Sequence, residues 1–161
     1  MGAALSAQAA WNLLQGLETL SLRIERICDN ARKVAEYLEG HPAVTWVQYA
    51  GLPSHRDHGL AQRYMGGRAS GILSFGIQGG REAGARFYDA LGMILRLVNI
   101  GDAKTCSSIP AATTHRQLND EELKAAGVRP DMVRLSIGIE HVDDILADLD
   151  QALSASHCLL Y

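Results

Sequence analysis

The sequence has no apolar run near the ~18 residues that a membrane-spanning helix needs. It has no dense cluster of Lys and Arg and no long block of either charge. With 15 basic residues against 18 acidic ones, the net charge is −3 and the pI is near 6.0. Neither a membrane span nor a nucleic-acid surface is therefore expected. Cysteine is scarce. Cys28, Cys106 and Cys158 form no CxxC pair, and an odd, sparse set fits a reducing cytoplasm better than a secreted disulfide framework. The first ten residues, MGAALSAQAA, place no positive charge ahead of an apolar stretch, so no secretory signal is expected. They pass straight into helix-like sequence, which raises the expectation that the chain starts inside something larger. There is no internal repeat and no low-complexity linker.

What is present is ordinary for a folded domain: 161 residues, 47% hydrophobic and 20% charged. A chain of this length buries roughly 68–70% of its unfolded surface, enough for a core without staples. Leu13, Leu17, Leu20, Ile24, Ile27, Ala31, Val34 and Leu38 recur at helical spacing and predict one long apolar stripe. Thr19 and Ser21 allow a break near residue 20, and Gly40-His41-Pro42 ends the segment. Strands are predicted at 44–49, 71–77, 95–100 and 132–137, and helices at 58–65, 82–91 and 143–153. Asn119 caps a further short helix with Glu121 and Glu122 in its first turn, stopped by Gly127. Residues 101–118 show no period, and 154–161 read as a disordered tail. The order predicts an α/β fold: a small four-stranded sheet covered by about five helices, with a long N-terminal helical segment.

Several groups invite a chemical reading. His55, Asp57 and His58 lack the third converging ligand of a metal site, and a solvated turn is the better reading. Gly76, Gly79, Gly80 and Gly84 lie between strand and helix, but the spacing misses both phosphate-loop patterns. Asp102, Ser107 or Ser108, and His115 contain hydrolase residue types without a G-x-S-x-G setting. Nothing local lowers the pKa of Cys106. Arg134 is the anomaly, a guanidinium inside the apolar run Met132–Ile139. Alternation puts it on the face of Met132 and Ser136, opposite Val133, Leu135 and Ile137. It then looks either to solvent, which pattern alone favours, or into a cleft with an anion. A guanidinium fork suits a bidentate carboxylate.

The stretch GAALSAQAAWNLLQGLETLSLRIERICDNARKVAEYLEGHPAVTWVQYAGLPSH resembles the start of the C-terminal, small domain of O-acetylhomoserine sulfhydrylases. These belong to the Cys/Met-metabolism family of pyridoxal 5'-phosphate (PLP) enzymes. GGRASGILSFGIQGGREAGARFYDAL, LVNIGDAKT, PAATTHRQL and VRLSIGIEHVDDILADLDQAL continue the resemblance, from Gly2 to about Leu153. It implies a mostly antiparallel sheet, as in the C-terminal domain of fold-type I PLP-dependent transferases, over 1–153, with 154–161 as tail. GLETLSLR, TTH and AAGV look like the sulfhydrylase branch rather than the cystathionine synthase or lyase relatives, which stay the alternative.

The resemblance also implies roles. Arg134 matches the arginine of an R-L-S-x-G-x-E stretch that grips the substrate's α-carboxylate. Thr105 stands where the family has a serine contacting the same group. The lysine that carries the cofactor, the phosphate loop and the stacking ring belong to the family's large N-terminal domain. Lys33, Lys104 and Lys124 lack the Ser-x-Thr-Lys setting. The implied function is therefore a piece of an aminocarboxypropyltransferase making homocysteine from O-acetylhomoserine and sulfide or a thiol. It supplies the carboxylate clamp and is expected to be inactive and without bound PLP when alone. A non-catalytic interaction module or remnant is the competing reading. Expected partners are the large domain or a second copy, because Trp11, Leu13, Leu14, Leu17, Leu20 and Leu22 cover too many angles for one buried stripe. The chain departs from the family at Ile109, where histidine precedes the proline, at the polar run Thr105-Cys106-Ser107-Ser108, and at Ser6-Ala7-Gln8 in place of Ser-Pro-Phe.

Overall fold

The computed structural model describes residues 4–111, 117 and 119–157. Two helices open the chain, α1 (Ala7–Glu18) and α2 (Leu20–Glu39), jointed at Thr19. The joint falls where weak helix formers predicted it. Ser6 caps α1, its hydroxyl accepting from the Ala9 N–H at 3.1 Å. Then follow β1 (Val44–Gln48), α3 (His58–Met65), β2 (Ile72–Ile77), α4 (Gly80–Ala90), β3 (Leu95–Arg96), β4 (Cys106–Ser108), α5 (Asp120–Ala125), β5 (Met132–Ser136) and α6 (Val142–His157).

The strands form one sheet in the order β1-β2-β5-β4-β3. All neighbours are antiparallel except β3 and β4, which run parallel. The sheet thus has five strands where four were predicted. The missed strand is β4, three residues of Cys-Ser-Ser with no apolar alternation to betray it. The predicted strand 95–100 shrinks to two residues, because the chain beyond Arg96 leaves the sheet edge to run beside β5. The last helix continues to His157 instead of stopping at Leu153. There Ser156 is buried, and its carbonyl accepts from the Arg86 Nε at 3.0 Å. Residues 158–161 of the predicted tail, Cys158 among them, lie outside the described residues.

One sheet face is apolar. Leu73, Phe75, Ile77, Val133, Leu135 and Ile137 are essentially inaccessible there. Ala31, Val34 and Leu38 of α2, Phe87 of α4 and Ile145 and Leu149 of α6 complete that core. Phe75 meets Phe87 edge-on, ring centroids 5.8 Å apart. The apolar stripe of the first helices is buried only from Ile27 onward. No residue of α1 is buried, and Trp11, Leu13, Leu14, Leu17 and Leu22 are 56–66% exposed.

Asp148 of α6 locks the turn between α4 and β3. Its carboxylate accepts from the N–H groups of Gly92, Met93 and Ile94 at 2.8–3.0 Å, and from Gln151. Burial pushes its carboxyl pKa up, but the bonds from Ile94, Gly92, Met93 and Gln151 outweigh burial and hold it below the ordinary value. A depressed folded pKa stabilises above the unfolded value of ~3.9 and loses that contribution as pH falls through the folded value. Asp148→Ala should destabilise the chain by about 2–4 kcal/mol at pH 7, since it strands buried N–H groups. The deficit should shrink as pH falls through the depressed folded value, where the parent carboxyl itself becomes protonated. Urea unfolding at neutral pH and across the acid range measures it.

Candidate functional site

The face of the sheet opposite the core is polar along one rung. Gln48, Ser74, Arg134 and Ser108 stand opposite one another across β1, β2, β5 and β4. The rungs on either side of this register, Val47–Phe75–Val133 and Leu73–Leu135–Ser107, point to the core face. The sequence expectation that Arg134 turns away from the apolar face therefore holds. The expectation of open solvent does not. Arg134 is half-buried, and its Nε is enclosed without any hydrogen-bond partner. Its Nη2 donates to the Val98 carbonyl at 2.9 Å. No carboxylate among the described residues pairs with it.

Every second residue from Arg134 onward engages the segment 98–105. The period is that of an extended strand, continued past the end of β5. Ser136 Oγ accepts from the Gly101 N–H at 3.1 Å. The Gly138 N–H donates to Thr105 Oγ1 at 3.0 Å. The Glu140 carboxylate takes both the Thr105 N–H, at 2.6 Å, and its hydroxyl, at 2.8 Å. Asn30, buried on α2, ties this line down by donating to the carbonyls of Gly138 and Glu140. The R-L-S-x-G-x-E spacing is thus a row of four grips on one segment. Asn30 and Glu140 were not picked out as site residues from sequence. The alternating spacing pointed to Glu140, while nothing in the helical pattern singled out Asn30.

Thr105 was expected to meet a substrate carboxylate. Its hydroxyl has one proton, and Glu140 takes it, so Thr105 fixes the segment and has no donor left for a ligand. A cleft of about 250 Å³ lies next to the polar rung, bordered by Ile24, Ile27, Met65, Ile72, Ile100 and Ser136.

The other candidates are spent locally. His55 bonds Gln48 and the Asp57 N–H, and His58 faces the Ala50 carbonyl and Gln62. No group of three metal-ligating side chains occurs among the described residues. Gly79 and Gly80 have φ of 94° and 65°, which makes them a tight turn that side chains resist. Asp102 serves its own loop. The Lys104 N–H and Asn99 bond its carboxylate and lower its pKa. Ser107 and Ser108 are buried, and His115 of the imagined triad lies outside the described residues. Burial pushes the Cys106 thiol up, which opposes a nucleophilic role. Lys33 and Lys104 are exposed, and the side chain of Lys124 lies outside those described.

The sequence profile of the family described as "Cys/Met metabolism PLP-dependent enzyme" matches residues 1–154. The chain belongs to this family. It is 49% identical over 153 residues to O-acetyl-L-homoserine sulfhydrylase 1 of Thermus thermophilus, covering 95% of this chain and 36% of that relative. It is 52% identical over 144 residues to homocysteine synthase of Schizosaccharomyces pombe, covering 89% and 34%. The fold matches a crystal structure of a putative O-acetylhomoserine (thiol)-lyase from Campylobacter jejuni with N'-pyridoxyl-lysine-5'-monophosphate. The TM-score is 0.87 at 45% identity, covering 95% of this chain and 36% of that one. The chain thus spans about a third of the length of these relatives.

Within this family member the weak point of the grip row is Gly138. A Cβ there would strike the Ala103 carbonyl oxygen, the Lys104 carbonyl carbon and the Glu140 carboxylate. Two of these are backbone and cannot swing aside. Gly138→Ala should cost about 2–3 kcal/mol and release the 98–105 segment. Faster amide hydrogen exchange at Gly101 and Thr105 than in the core strands is the expected signature.

Proposed function

We propose that the chain is the C-terminal, small domain of an O-acetylhomoserine sulfhydrylase-type transferase, and that Arg134 is its substrate-carboxylate clamp. The enclosed, unpartnered Nε of Arg134 carries this reading. A buried donor left open costs about 1–3 kcal/mol, more on a charged group, so the position makes sense when an anion fills it. The names of the relatives supply the substrate class, O-acetylhomoserine or its thiol product. Reaction chemistry comes from PLP, which in this family supplies the electron sink; the residues here hold and orient the amino acid. Thr105 and Glu140 act by keeping the Val98 carbonyl and Arg134 in register. A reducing cytoplasm suits the buried free thiols of Cys28 and Cys106. No helix among the described residues is long and apolar enough to cross a membrane.

The remaining two-thirds of the parent would then seat on the exposed side of α1 and the first turns of α2. A non-catalytic interaction module is the second reading, favoured by the same bare leucines. Sedimentation across a wide concentration range tests the surface. Self-association of the chain, relieved by co-expression with a parent-type large domain, is expected. A strict monomer that ignores the large domain would show that this face is no interface.

The clamp is tested in that complex, since the chain alone is expected to turn over no O-acetylhomoserine. Arg134→Ala should lower kcat/KM by about 2–4 kcal/mol, the loss of a charge-assisted pair. Arg134→Lys should recover only part, because a point charge cannot grip two oxygens in a fork. Parental kinetics for the lysine variant would contradict the clamp.

A further inference from the structure

β4 poses a problem that the family reading leaves unexplained. It is a strand of Cys-Ser-Ser in which Ser107 Oγ and Ser108 Oγ are both buried and both without a partner. Burying a hydroxyl without a hydrogen bond is unfavourable, so each orphan needs a reason. The two serines lie on opposite faces of the sheet. Ser107 is paired with Leu135 on the core side, beneath α4, whose Tyr88 hydroxyl donates to the Ser107 carbonyl at 3.2 Å. Its other register partner, Arg96 of β3, already spends its guanidinium on the carbonyls of Tyr88, Asp89 and Leu91. Ser108 is paired directly with Arg134, whose Nε is the third orphan in the molecule's described buried side chains.

We infer that Ser108 is the second ligand of the carboxylate that Arg134 binds. The inference rests on the clamp reading and extends it to a residue that the resemblance does not mark. Directly paired residues on one face of an antiparallel ladder hold their Cβ atoms about 4.5–5.5 Å apart. Both side chains have a hydrogen to give, yet they do not bond each other. Two open donors side by side need one acceptor with two oxygens. A carboxylate supplies it: the Arg134 Nε–H and the remaining N–H of Nη2 grip its two oxygens in a fork, and one of those oxygens also accepts from the Ser108 O–H. Thr105 cannot take the place of Ser108, because its only proton is held by Glu140. The polar run that replaces apolar sequence in β4 then has a use at Ser108, and Ser107 follows as a bystander.

Proton NMR on the full chain tests this, with the Arg134 Nε–H and the Ser108 amide as reporters. Sodium acetate is the probe, with sodium chloride at equal ionic strength as control. Acetate should shift both signals saturably and chloride should not. Ser108→Ala should weaken acetate binding about ten- to hundredfold, the loss of one hydrogen bond to a charged group. Ser108→Thr, which keeps the hydroxyl, should recover most of it, and Ser107→Ala should change nothing. Parental affinity in Ser108→Ala, together with loss of binding in Arg134→Gln, would overturn the role of Ser108 and leave the clamp standing. An Arg134 Nε–H that responds to acetate no more than to chloride would overturn both.

Discussion

A guanidinium on the central strand of a sheet must find acceptors or stay uncharged, and arginine does not give up its proton. The non-core face of this fold is arranged around that requirement. β5 sends Val133, Leu135 and Ile137 into the core and Arg134 the other way. The chain after β3 is then drawn off the sheet edge so that Val98 can offer its carbonyl. Ser136, Gly138 and Glu140, on the same side as Arg134, hold that segment in place. One acceptor is supplied internally, and the enclosed Nε donor is left open. A structural arginine would be fully satisfied; a binding arginine has to keep something in reserve.

Much of this was legible in the residues, for a reason. Where burial is one-sided, the period of apolar residues is forced, and α2, β1, β2 and β5 follow it. The short helix α5 starts where Asn119 predicts: its side chain accepts from the Glu121 and Glu122 N–H groups, and Glu122 reaches back to the Asn119 N–H. β4 was invisible because its neighbours, not its own side chains, make it a strand. β3 was overestimated because Leu97, Val98 and Ile100 have strand composition but lie exposed along a loop. The stripe from Leu13 to Ile24 has a buried helix's spacing without a buried helix's surroundings, and periodicity cannot say who supplies the covering surface.

The site divides the same way. Arg134 stands out in sequence because a charge in an apolar run is rare. Thr105 was assigned by resemblance alone, and a resemblance transfers position without transferring the hydrogen-bond state of the hydroxyl. The competing claim of Glu140 on that proton depends on the fold bringing residues 35 apart in sequence to 2.8 Å. Asn30 and Ser108 depend on the same kind of long-range meeting.

The bare helix surface and the proposed clamp are not separate features. The cleft beside the polar rung is walled by Ile24 and Met65, which belong to the exposed apolar side, by Ile100 of the segment 98–105, and by Ser136 of β5, which grips that segment. Leaving a large apolar side chain in water forgoes about 1.5–3 kcal/mol relative to burial, so a partner seated over Ile24, Met65 and Ile100 gains from covering them. The proposed docking would also lower the dielectric around the neighbouring rung, which carries Arg134. Two unit charges 4 Å apart attract by about 1 kcal/mol in water and by about 4 kcal/mol at an effective dielectric near 20. Docking would therefore strengthen the hold on a carboxylate without moving a single side chain of this domain. In the proposed complex this chain would supply the donors, and the covering partner would set how tightly they bind.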